Sequence, residues 1–143
     1  MSYSRWLKTD LHIHSERSNL TKDSDYDGET LTVDKLVSAL TKESVNFFSI
    51  TDHNTINLKL YEELIVRREE LVKFNLNFVI GVEIDFLDKE IHDEIFHMLV
   101  FFNSYDLEII SKVLTTIFDK STIDEINKNV NPVKLNNFFK TIF

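Results

Sequence analysis

The chain of 143 residues contains no cysteine. Neither disulfides nor thiolate metal sites are open to it, so any metal it holds must be bound through nitrogen and oxygen. It has no apolar run approaching membrane-spanning length, and Met1 to Lys8 lacks the apolar core of a secretory signal. A cytoplasmic location without membrane contact is therefore the expectation. Positive charge is scarce as well: 16 Lys and Arg stand against 24 Asp and Glu, a formal charge of −8. Such a surface does not grip a polyanion by charge alone, and a phosphate-bearing substrate would need bound cations or another part of an assembly. What remains is ordinary for a globular domain, with 43% hydrophobic and 28% charged residues and enough length for a sizeable core.

The most informative stretch is Thr9-Asp10-Leu11-His12-Ile13-His14-Ser15. Read as a strand running into a loop, it places Asp10, His12 and His14 on one face and Leu11 and Ile13 on the other. Two imidazoles beside a carboxylate that can orient a ring N–H suit a divalent metal. A short His pair on an exposed edge strand would look the same, so the rest of the chain has to decide.

Further along, Ser15 to Glu29 is a polar loop with an Asp27-Gly28 turn signal. Thr32 to Glu43 is predicted to be a helix, N-capped by Thr32 and apolar along Val33, Leu36, Val37 and Leu40. Asn46 to Thr51 is a short strand ending in Asp52-His53-Asn54. The pattern then predicts a second helix over Leu58 to Phe74, with a charged outer face, and a third strand over Phe78 to Phe86. A hairpin carrying His92 returns through a fourth strand, Ile95 to Phe102. This alternation is the rhythm of a parallel α/β sheet, whose strands deliver functional groups to one rim. Successive strand ends here offer His12 and His14, then Asp52-His53, then Glu83, then His97. Alone, His97 would read as a core histidine; within this series it reads as a contributor.

Asp10-Leu11-His12-Ile13-His14-Ser15, Ile50-Thr51-Asp52-His53-Asn54-Thr55, Gly81-Val82-Glu83-Ile84 and Phe96-His97-Met98-Leu99 resemble the first motifs of the PHP (polymerase and histidinol phosphatase) family in order and spacing. The similarity runs from about Lys8 to Phe102. It implies an α/β fold, a partial PHP-type (β/α)7 barrel comprising the first three to four strands with their intervening helices. It also implies up to three divalent ions (Zn, Mn or Fe) and hydrolysis of phosphoesters. The substrate would be a phosphorylated small molecule or nucleic acid, with nuclease activity among the options. Carried over by motif, His12, His14, His53, Glu83 and His97 would be metal ligands, Glu83 bridging two ions. Asp10 and Asp52 would orient imidazoles and, with Glu83, support catalysis. The segment Ser4 to Asp10 also resembles PHP domains fused to SMC-like or AAA-like ATPases, systems tied to nucleic-acid processing and phage defence.

Two departures from the family pattern stand out. Where the family often has Ser followed by a liganding Asp, this chain has Ser18-Asn19, so that ligand is weaker or is replaced by Asp23, Asp25 or Asp27. No histidine follows His97 to close the cluster. Residues 1–102 thus read as the N-terminal half of a PHP-type domain, and 103–143 as a helical extension, with helices over Leu107 to Phe118 and Val133 to Phe139. Such a barrel needs roughly 200 residues or more. Either the chain is part of a longer protein, or a second copy or a partner subunit completes it. Arg17 is placed to meet a phosphate or simply to face solvent; Ser15 and Thr51 are expected to satisfy backbone groups. Three classes stay open: a metal-dependent phosphoesterase, a non-catalytic metal-binding or regulatory module, and an interaction subunit without metal.

Overall fold

The computed structural model describes residues 6–18, 29–88 and 94–117. Strand β1 (Thr9–Ile13) is followed by helix α1 (Val33–Lys42), strand β2 (Phe47–Ile50), helices α2 (Leu58–Val66) and α3 (Arg68–Lys73), and strand β3 (Asn77–Phe78). Strands β4 (Ile80–Asp88) and β5 (Glu94–Phe102) and helix α4 (Leu107–Ile117) complete the described chain. The order β1-β2-β3 forms a parallel sheet, and β4 pairs antiparallel with β5 in a continuous register from Ile80↔Phe102 to Asp88↔Glu94.

Helix α1 forms for local reasons. Thr32 is extended, and its side chain accepts the Lys35 N–H, satisfying one amide of the first turn. Val33, Leu36 and Leu40 then recur at helical spacing and are buried. The helix stops at Ser44, whose φ of 59° is left-handed. The Ser44 N–H bonds to the Thr41 carbonyl and the Val45 N–H to the Leu40 carbonyl, and Val45 packs into the core. Helix α3 ends identically, with Asn75 at φ 58°, Asn75 N–H on Val72 and Leu76 N–H on Leu71. Each Schellman ending turns the chain sharply and buries the next apolar residue. Strands β2 and β3 therefore enter the sheet side by side, from the same direction.

The core lies between the helices and the strands and includes Val33, Leu36, Phe48, Ile50, Leu64, Leu71, Ile80 and Val82. At its centre Tyr61 mends an interrupted ladder. Between β2 and the start of β4, the hydroxyl of Tyr61 donates to the Ile50 carbonyl (2.6 Å) and accepts from the amides of Ile50 and Gly81 (3.0 Å each). Beyond that gap the backbones rejoin: the Glu83 amide bonds to Asp52 and the Asn54 amide to Glu83, making a parallel bridge between His53 and Glu83. Gly81 permits the approach. A Cβ there would lie 2.5 Å from Ser49 Oγ and 2.8 Å from Thr51 Cγ2.

Two expectations need correcting. The helix expected over Leu58 to Phe74 is two helices, α2 and α3, separated at Arg67, whose guanidinium pairs with Asp34 of α1 as well as Glu63 and Glu70. The third strand is likewise split at Val79, where the ladder passes from β3 to β4. The fourth strand returns antiparallel to the third, as the expected hairpin requires, and the described strands form a three-stranded parallel sheet and this hairpin. His92, Asn19, the acidic residues Asp23, Asp25 and Asp27, and the helix expected over Val133 to Phe139 lie outside the described residues. Among the described residues no helix is long and apolar enough to cross a membrane.

Candidate metal centre

Four of the five histidines meet around one buried carboxylate. Glu83, in β4, is 2% exposed. Its Oε2 lies 2.8 Å from His12 Nε2, 3.1 Å from His14 Nε2 and 3.5 Å from His53 Nε2, while Oε1 lies 2.9 Å from His97 Nδ1. The rings run in a row: the centroids of His12 and His14 are 4.8 Å apart, of His14 and His53 4.7 Å, and of His53 and His97 5.3 Å.

Each member is placed by the end of a strand. His12 projects from β1 and His14 from the residue just past it; the pairing of β1 with β2 is irregular between Asp10 and Ile13. His53 lies three residues beyond β2, and Asn54 follows at φ 54°, a left-handed turn that Asn tolerates better than most residues. The His53–Glu83 bridge then sets the two side chains beside each other. His97 comes from β5, in register with Asp85 of β4. His14, His53 and Glu83 form the buried wall, while His12 and His97 are about half exposed, their side chains at 52% and 44%.

The donor chemistry fits a divalent ion. Two groups of three donors lie within 4.8 Å of one another, His12–His14–Glu83 and His53–Glu83–His97, sharing the glutamate. One carboxylate oxygen has about two lone-pair sites, so three imidazole nitrogens crowding Oε2 exceed what hydrogen bonding alone can saturate. Burial, followed by the neighbouring His53, holds the His14 imidazole below its usual pKa, with Glu83 opposing. His14 is thus neutral at pH 7, the form that can ligate a metal. Its Nδ1 is buried without a hydrogen-bond partner.

The two aspartates accept hydrogen bonds from backbone amides and serine hydroxyls. Asp10 is exposed, and its Oδ1 accepts the His12 backbone N–H at 3.4 Å instead of meeting a ring. Asp52 is buried, but its oxygens take the Ser15 amide (2.5 Å), the Ser15 hydroxyl (2.6 Å) and the Ser18 hydroxyl (3.0 Å). It braces the loop backbone, because hydroxyl and amide donors already surround both oxygens. Burial raises its pKa, opposed by those same donors. Arg17 is exposed beside this loop, its amide donating to Ser15 Oγ. Ser15 does satisfy a backbone group, as expected, whereas Thr51 Oγ1 is buried without a partner.

Sequence reasoning missed Asn57 and Glu16. The Asn57 amide donates to Ser15 Oγ (3.0 Å) and to Glu16 Oε1 (3.1 Å), and its Oδ1 caps α2 at the Leu60 N–H. Asn directly before an apolar-periodic run is a readable N-cap signal; the link to the loop after β1 has no local signature.

No protein-family profile matches the chain, and no curated protein matches it. Among solved structures it is similar to a presumed metal-dependent phosphoesterase from Bifidobacterium adolescentis, with 25% identity and a TM-score of 0.52. The similarity covers 80% of this chain and 35% of that one, so the chain spans about a third of the length of that protein.

Proposed function

We propose that this chain carries the metal centre of a PHP-type phosphoesterase, with His12, His14 and Glu83 holding one divalent ion and His53, Glu83 and His97 a second. The observation that carries the reading is the convergence of four imidazoles, from three separate stretches of chain, on the single buried carboxylate of Glu83. The similarity to a presumed metal-dependent phosphoesterase supports the reaction class. Paired divalent ions supply Lewis acidity toward a phosphoryl oxygen and a nucleophilic water near neutral pH.

The remaining work falls to the protein. Glu83 spans both donor groups and fixes their separation, because its two oxygens face different histidines. His14 and His53, shut away from solvent, are aimed inward at Glu83, and burial holds the His14 imidazole below its usual pKa. His12 and His97 line the open side, where a phosphoester can approach.

The test is hydrolysis of p-nitrophenyl phosphate and of bis-p-nitrophenyl phosphate with added Mn²⁺, using His12→Ala as control. Metal-dependent turnover that His12→Ala abolishes supports the enzyme, and the preferred ester separates monoesterase from diesterase or nuclease chemistry. Absence of turnover on both esters overturns catalysis by this chain alone. A second reading is a metal-binding module without turnover of its own. The half-exposed His12 and His97 favour it, because nothing among the described residues excludes water from that side. Tight metal binding with no hydrolysis is its signature.

A further inference from the structure

A buried polar chain ties the two histidine loops together, and it belongs to neither donor group. The His53 backbone N–H donates to Ser18 Oγ (3.2 Å), and Ser18 Oγ donates to Asp52 Oδ1 (3.0 Å). Asp52 Oδ2 accepts from Ser15 Oγ (2.6 Å), and Ser15 Oγ accepts from Asn57 Nδ2 (3.0 Å). Asn57 in turn reaches Glu16, whose other oxygen accepts the Leu31 N–H just ahead of α1 (2.9 Å). Ser15, Ser18, Asp52 and Asn57 are all at most 3% exposed.

Position makes this network more than loop padding. Ser15 directly follows His14, and Asp52 directly precedes His53. The Ser15 amide on Asp52 Oδ1 therefore links residues one bond away from two imidazoles whose centroids are 4.7 Å apart. The Ser18 hydroxyl adds a second tie, straight to the His53 backbone. Packing two imidazoles against a carboxylate costs ordering entropy, and a rigid, fully bonded network meets that cost during folding.

We propose that Ser15, Ser18 and Asn57, acting through Asp52, form a positioning clasp that holds His14 and His53 at ligating separation before any metal arrives. These contacts act through the backbone on either side of the two rings. The proposal rests on the metal reading above, and its test separates the two.

The experiment compares wild type with Ser18→Ala, which deletes one buried hydroxyl, and with Asn57→Ser, which keeps an N-cap for α2 but is too short to reach Ser15 and Glu16. Thr32→Ala, which removes the α1 cap outside the clasp, serves as a stability control. Two readouts are taken: Zn²⁺ affinity by titration calorimetry, and nuclear Overhauser contacts between the His14 and His53 rings in metal-free protein. The expected result is Zn²⁺ affinity weaker by roughly 10-fold or more in both clasp variants, in line with the usual effect of groups behind metal ligands. Their ring contacts should be lost, while Thr32→Ala keeps wild-type affinity and contacts. Clasp variants that keep wild-type affinity and ring contacts overturn the proposal, as does an equal loss in Thr32→Ala, which would reduce the clasp to general stability. Should Asn57→Ser fail to fold, Ser18→Ala decides. Should wild type bind no Zn²⁺, the metal reading fails, and the ring contacts of the metal-free proteins decide the clasp by themselves.

Discussion

Replacing Tyr61 with Phe removes one oxygen from the centre of the molecule and leaves the ring in place. That oxygen bridges β2 and β4, accepting from the amides of Ile50 and Gly81 and donating to the Ile50 carbonyl. Tyr61 and its partners Ile50 and Gly81 are buried, so water cannot substitute. Each buried group left without a partner costs about 1–3 kcal/mol. Two stranded amides and the Ile50 carbonyl that loses its donor, partly offset by the easier burial of Phe, give a net loss of about 3 kcal/mol. Urea unfolding followed by circular dichroism measures it, as a lower midpoint with an unchanged slope. A second signature comes from ionisation, since burial pushes the Tyr61 hydroxyl up to about 12 from its ordinary 10. The folded state keeps this proton while the unfolded chain loses it. Wild-type stability is therefore intact below pH 10 and falls as pH rises toward 12, a component that Tyr61→Phe lacks. A loss under about 1 kcal/mol, with the alkaline decline unchanged, would refute the idea that this hydroxyl closes the ladder.

Other perturbations follow from the same contacts. Gly81→Ala puts a methyl against Ser49 Oγ and Thr51 Cγ2, both on buried residues, and should cost roughly 1–3 kcal/mol by calorimetry. Thr32→Ala removes the N-cap of α1 and should cost about 1 kcal/mol in urea unfolding. In metal-free protein the buried His14 has a lowered pKa, so the unfolded chain takes up its proton first as pH falls. Its contribution is full above 6.5 and is lost as pH drops below that value. A melting temperature followed from pH 8 to pH 5 should decline, and His14→Gln should flatten that decline.

The elements were more legible than their junctions. Thr32 with Val33, Leu36 and Leu40 announced α1 because capping and periodicity are local signals. The break at Arg67 was hidden because the apolar periodicity runs on from α2 into α3, and the guanidinium's link to Asp34 is non-local. The split at Val79 was hidden in the same way, since it depends on where a tyrosine from α2 enters the ladder. In the site, His12, His14, His53, Glu83 and His97 could be named because strand ends share a rim, and the structure brings these five together. Where the aspartates turn was not legible, because a carboxylate next to a histidine in sequence need not face its ring. Asp52 turns to the Ser15 and Ser18 hydroxyls, and nothing local in the sequence announces that choice.

The most direct measurement is Zn²⁺ titration of chelator-stripped protein, comparing wild type with Glu83→Ala. Because Glu83 belongs to both donor groups, the wild type should take up two ions per chain, and the single substitution should abolish both. Saturable binding that survives in Glu83→Ala, or no saturable binding in the wild type, would contradict a shared centre on this carboxylate.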